Sequence, residues 1–158
     1  MKNPSRLRIL CKDNHGGSLI ELALVIPILL LLVLGAVDFG HAYYVYLEVV
    51  NAAHAGAEYG SLHPTDTSGI TTAATQKQSD TGVAWNPPVP TYGCECSDGT
   101  SYTANCSLAL ACTANATRSA TTVHRVQVTT SAIYSTFVHW PGIPSTITLS
   151  TTATVRGY

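Results

Sequence analysis

The hydrophobic pattern is strongest near the start of the chain. Leu22 to Val37 run for sixteen positions without a charge, and twelve of these are Leu, Ile or Val. At roughly −0.3 to −0.6 kcal/mol each for insertion, these side chains contribute about −5 kcal/mol toward a bilayer. Extended by Ser18–Glu21 before it and by residues 39–50 after it, the run reaches the roughly 20 residues that a spanning helix needs. Pro27 removes one helical hydrogen bond and predicts a kink that spanning helices tolerate. Glu21 is the one acid between Gly16 and Val37. A carboxylate at the centre of a span costs about 3 kcal/mol, and less near its end. Glu21 reads either as an interfacial carboxylate or as a buried one with a partner and a function.

After the run, residues 38–60 predict a continuation of the helix out of the membrane, with Asp38 marking the outer exit. Tyr43, Tyr44 and Tyr46 follow the exit, where aromatic rings favour the headgroup level. Ala53, Gly56, Ala57 and Gly60 share a face at helical spacing. Small residues in such a stripe let another backbone approach closely. The partner is either a helix of another subunit or the chain's own downstream domain. Gly60 with Ser61-Leu62-His63-Pro64 reads as the helix stop. Residues 61–90 read as a linker, with a short helix over Gly69–Gln78 and a stiff, extended Trp85-Asn86-Pro87-Pro88-Val89-Pro90. From residue 122 the period changes to two. Val126, Val128 and Thr130 alternate with Arg125, Gln127 and Thr129. Ile147, Leu149, Thr151, Ala153 and Val155 alternate with Ser, Thr and Arg. This predicts half-buried antiparallel strands. Ile133 to Trp140 read as a further strand or an apolar loop. Pro141, Gly142 and Pro144 supply the turn before the last strand.

Charge orients the chain. Lys2, Arg6, Arg8 and Lys12 against Asp13 make the segment before Gly16 +3, and the remainder is −4. Basic residues flanking a span stay cytoplasmic, so the N-terminus is expected inside and the rest outside. The acidic remainder offers no basic patch, which argues against nucleic-acid binding. A cleaved secretory signal fits less well, because the run is long and Gly40-His41-Ala42 is a poor cleavage site. Cys11 precedes the run, so a lipoprotein reading fails too.

Candidate chemistry is sparse. Cys94, Cys96, Cys106 and Cys112 fall within nineteen residues. In an oxidising compartment an even set reads as a disulfide framework, each bond stabilising by about 2–4 kcal/mol. A four-cysteine zinc site normally shows paired C-x-x-C knuckles, which are missing. Nested and crossed connectivities both remain open, and Cys94–Cys96 is too cramped. Asp98-Gly99 marks a tight turn. His124 and His139 form a remote candidate metal pair, and Asn115-Ala116-Thr117 fits a glycosylation acceptor by chance-level pattern. There is no G-x-S-x-G, H-E-x-x-H or P-loop. We therefore expect no enzyme, no metal and no cofactor.

The combination Gly16-Gly17-Ser18-Leu19-Ile20-Glu21-Leu22-Ala23-Leu24, the Pro27-bearing apolar run, Gly35–Gly40 with Asp38-Phe39, and Asn51-Ala52-Ala53-His54-Ala55-Gly56-Ala57 resembles the TadE-like pseudopilins of the Tad/Flp tight-adherence pilus machinery. Leu22 stands where that family usually has Phe or Tyr, and His54 and Glu58 where it has Arg. The resemblance covers about residues 15–60. It implies cleavage by a prepilin peptidase after Gly16, which makes Glu21 the fifth residue of the cleaved chain; a cut after Gly17 would make it the fourth. It further implies that the freed amine of one subunit meets the acid of a neighbour, since a paired buried charge costs far less than a lone one.

The expected architecture is α+β. It comprises a leader (1–16), a transmembrane helix (17–37), its extension (38–60), a linker (61–90) and a small Ser/Thr-rich antiparallel β domain with a disulfide-rich loop (91–158). The expected role is a minor pilin-like, single-pass component of the bacterial inner membrane. It would assemble with other pilin-like subunits and pilus assembly proteins for fibre assembly, secretion and adhesion. The competing readings are a signal-anchored extracytoplasmic binding module and a secreted domain released at the end of the run.

Overall fold

A computed structural model describes residues 15–78, 83–107, 110, 112, 121–139 and 141–157. Two helices precede four strands: α1 His15–Leu62, α2 Thr67–Thr75, β1 Ala84–Cys96, β2 Tyr102–Thr103, β3 Thr122–Ser135 and β4 Thr146–Gly157. The strands form one antiparallel sheet in the order β2-β1-β3-β4. The architecture is α+β, with a long apolar helix followed by a small antiparallel sheet. The chain divides into two compact units at Gly40/His41.

In the first unit, α1 exposes large apolar side chains all around its axis from Leu19 to Val37. The helix has the length and apolarity to cross a membrane. Pro27 lies inside it.

In the second unit, α1 becomes one-sided. Val45, Val49, Ala52, Ala53, Gly56, Ala57 and Gly60 are buried in a single stripe, whereas Asn51, His54 and Glu58 are exposed. The stripe packs on the sheet through two apolar clusters. One joins Val45 and Val49 to Ala132 and Tyr134, with Trp85 and Leu149 at its margin. The other joins Ala53 and Ala57 to Ile70 and Ala74 of α2 and to Val126, Val128 and Ala153 of the sheet. Each fully buried Val or Ile contributes about 1.5–3 kcal/mol. Between the clusters, Thr130 is buried and its hydroxyl donates to the Val49 carbonyl at 2.7 Å. A buried hydroxyl needs such a partner, and this one ties the central strand to the middle of α1.

The period-two alternation in β3 holds from Val126 to Tyr134, with every second residue buried. In β4 the expected inner positions Leu149, Thr151, Ala153 and Val155 are more buried than their neighbours. Ile133 and Tyr134 extend β3 rather than starting a new strand, and Phe137 lies in the loop that follows.

Three stretches depart from the expectation. The stretch 61–90 holds α2 and the first half of β1. The prolines of β1 fit because residues 84–93 pair with β3 alone, leaving their other side an open edge. Proline is tolerated on edges and at bulges. The register shifts between Asn86 and Val89, so Pro87 and Pro88 fall in a bulge. The short helix begins at Thr67 instead of Gly69, because Asp66 caps it. The Asp66 carboxylate accepts from the Gly69 N–H at 2.9 Å, and the Tyr59 hydroxyl donates to it at 2.9 Å. The Gly69 bond, then the Tyr59 bond, hold the Asp66 carboxyl below its usual range. The same donation pushes the Tyr59 hydroxyl up.

Finally, α1 runs two residues past Gly60, which is not its stop. Gly60 is small because of the sheet. A Cβ there would lie 2.6 Å from Cγ1 of Val126 and 3.2 Å from Cδ1 of Ile70. Val126 is β-branched on a central strand and has little room to yield. Gly60→Ala is therefore expected to destabilise the folded domain by about 1–3 kcal/mol through overpacking. This outweighs the helix-propensity gain of about 1 kcal/mol. Urea unfolding followed by circular dichroism checks the sign.

Candidate functional site

The residues singled out by sequence fall at three places along α1 and the sheet. Gly16, Gly17 and Glu21 lie in the first two turns of α1. Gly17 has open space around its Cα, and Glu21 is exposed. Asp38, expected at the outer exit, is 6% exposed.

The small-residue stripe Ala53, Gly56, Ala57, Gly60 faces the chain's own domain. A Cβ on Gly56 would sit 3.1 Å from both the Ala74 Cβ and the Val128 Cγ1. Of the two partners open at the sequence level, the sheet and α2 occupy the stripe.

The four cysteines pair in the crossed pattern, Cys94–Cys106 and Cys96–Cys112. Alternation along β1 sends the Cys94 and Cys96 side chains out of one face, together with Tyr92. That is the face α1 covers lower down. Gly157, in register with His124 and so with Cys94, approaches the Ser61 carbonyl at the end of α1. The disulfides therefore take over the cover of the sheet where the helix stops. Cys94 and Cys96 are 2% and 0% exposed.

His124 stands beside this pair. Its Nδ1 lies 2.8 Å from the Tyr92 hydroxyl and 3.4 Å from the Cys94 Sγ, with the two rings stacked. Donor atoms of Cys94, Cys106 and His124 lie within 4.8 Å of one another. The two sulfurs are bonded to each other, so the trio offers no thiolate to a metal. The candidate pair His124 and His139 is not brought together: His124 opens β3, and His139 lies beyond its end. Asn115-Ala116-Thr117 lies outside the described residues.

The opposite face of the sheet carries a charge cluster that the sequence reading missed. Glu95 accepts from the Arg156 guanidinium, and its other oxygen lies 3.5 Å from Arg125 Nε. The Arg125 guanidinium sits 5.1 Å from the centre of the Tyr102 ring. Tyr102 in turn lies over Gly93, where any Cβ would collide with the ring. One residue from each strand thus joins a line across the sheet. The available signal was the acid of Cys94-Glu95-Cys96 and the two arginines on outward positions of alternating strands. Their pairing depends on strand order, which no local pattern states.

The Glu95 side chain is 6% exposed, and those of Arg125 and Arg156 are 26% and 54% exposed. Removing the acid leaves two cations that can still reach water. Glu95→Ala is expected to cost about 1–2 kcal/mol, less than the 3–5 kcal/mol of a fully buried broken pair. Thermal unfolding of the oxidised protein measures it.

No curated protein and no solved structure matches the chain. The family model described as TadE-like protein matches residues 16–58. The matched segment starts within the first turn of α1 and ends on the last turns that pack against the sheet. It holds Glu21, Asp38 and most of the small-residue stripe, and none of the strands. Over residues 16–58, the apolar helix and the start of its packed half, the chain is similar to the TadE-like protein family.

Proposed function

We propose that the protein is a minor, pilin-like, single-pass component of Tad/Flp pilus biogenesis, anchored in the bacterial inner membrane. The observation that carries this is the family match on a helix that is apolar all around up to Val37 and one-sided thereafter. The protein acts as an assembly element, not as an enzyme. The +3 leader keeps the N-terminus in the cytoplasm and puts the disulfide-bearing sheet outside, where oxidation is possible.

A prepilin peptidase cuts after Gly16, in the first turn of α1. The new N-terminus then brings an ammonium to the membrane four residues before Glu21. Glu21 pairs with that amine on a neighbouring pilin-like subunit, offsetting the cost of both charges in lipid. The subunit so held primes or anchors the fibre and thereby supports adhesion and secretion.

The cysteines give a direct test. The chain has five, and Cys11 alone lies in the leader. With both disulfides formed, the precursor carries one alkylatable thiol and the chain cut after Gly16 carries none. Intact mass after alkylation of protein recovered from membranes is expected to show an unlabelled chain beginning at Gly17. A labelled chain retaining residue 1 would mean an uncleaved anchor carrying a binding module. A start near residue 43 would mean a secreted domain.

Glu21→Ala is expected to leave membrane insertion intact, because it removes a charge from an apolar run. Pilus assembly or processing is expected to fall, as read by fractionation of sheared fibres. Normal fibres from this variant would refute the amine pairing.

A further inference from the structure

We infer that the β3–β4 loop is a second membrane contact that seats Phe137 and Ile143 in the outer headgroup layer; this rests on the reading that α1 spans the bilayer. The argument begins with depth. A hydrocarbon core of about 30 Å takes roughly 20 helical residues. Counted from Ser18 the span ends at Val37, and counted from Leu22 it ends at His41. In either register the membrane edge lies within four residues of His41, about 6 Å along the helix. The headgroup layer is itself about 5–7 Å thick on each side.

His41 is where the loop meets the helix. Its ring lies 5.0 Å from that of Phe137 and 5.4 Å from that of Tyr134. The loop is therefore held against the turn of α1 that follows the span in sequence. It is closed at its mouth by the Thr136 N–H donating to the Ser145 carbonyl at 3.0 Å. Gly142, at φ +88°, turns the chain within it.

The composition of the loop suits that level. It contains no Asp, Glu, Lys or Arg. Phe137 is 67% exposed and Ile143 49% exposed, and Tyr43 and Tyr44 on the adjoining turn of α1 are 62% and 50% exposed. A groove of about 480 Å³, lined by Val83, Ala84, Ile133 and Phe137 among others, opens at the same end. The other end of the sheet has the opposite character. The strands contain only three residues of the Asp, Glu, Lys and Arg set. These are Glu95, Arg125 and Arg156, and all lie at the disulfide end. The domain is polarised along β3, with its apolar end where the helix meets the membrane. Exposed Phe, Ile and Tyr at an interface gain from burial in the headgroup and acyl boundary.

The test uses the full chain in vesicles of phosphatidylethanolamine and phosphatidylglycerol. A photoreactive benzoylphenylalanine replaces Leu30, Phe137, Ile143 or Thr152, one at a time. Lipid adducts are scored by mass after illumination. Adducts at positions 30, 137 and 143, with loss to background at 152 on the outward face of β4, are the expected result. Adducts at 30 but at neither 137 nor 143 would overturn the loop contact and leave the span standing. No adduct at 30 would overturn the span and the loop contact with it.

Discussion

The whole sheet domain rests on how closely the backbone of α1 approaches β3. Gly56 and Gly60 leave room for Val128 and Val126, and the Thr130 hydroxyl reaches a carbonyl of the helix. The sheet has few large apolar residues of its own, so it is stable only with the helix as its second layer. Small domains of this kind bury a modest fraction of their surface. Three Ala, two Gly and two Val on one stripe of α1 therefore do what a larger core would do elsewhere. The same helix has two surfaces. Its first half exposes apolar side chains all around, and its second half is buried on one side and exposed on the other.

The disulfides belong to the same economy of surface. Beyond Ser61 no helix remains to cover the inner face of the sheet, and Cys94 and Cys96 sit there fully buried. Cys106 and Cys112 are pinned covalently over that end. On the outer face, Tyr102 covers Gly93 and the arginines hold Glu95. The strongest non-apolar interactions are thus gathered where the apolar core is thinnest.

The long apolar helix, the TadE-like pattern in it and the strand alternation were legible because they are local. Twelve aliphatic residues in sixteen, and Val126, Val128 and Thr130 at period two, state their environment without reference to the rest of the chain. The segment 61–90 was harder. Three prolines argue against a strand unless the strand lies on an edge with a bulge, and edges are a property of topology. Gly60 was taken for a helix stop because a terminal glycine and a glycine under a valine look alike in sequence. The partner of the small-residue stripe, the crossed disulfides and the line from Tyr102 to Arg156 all needed the strand order. The proposed cleavage after Gly16 and amine pairing of Glu21 involve other molecules, so their signal lies in the motif and not in a contact within the chain.

The covalent map of the domain has a mechanical consequence. Cys94–Cys106 and Cys96–Cys112 both close loops at the far end of β1 and the segment after it, and neither joins α1 to the sheet. Tension applied along α1 is therefore borne by side-chain packing and by the Thr130 hydroxyl, not by a crosslink. Under load, the helix can shear along the stripe from Val45 to Gly60 while both bridges stay intact. Slack is released at the helix–sheet contact first. The disulfide end, with its bridges and its charge line, is the part of the molecule that keeps its shape longest when it is pulled.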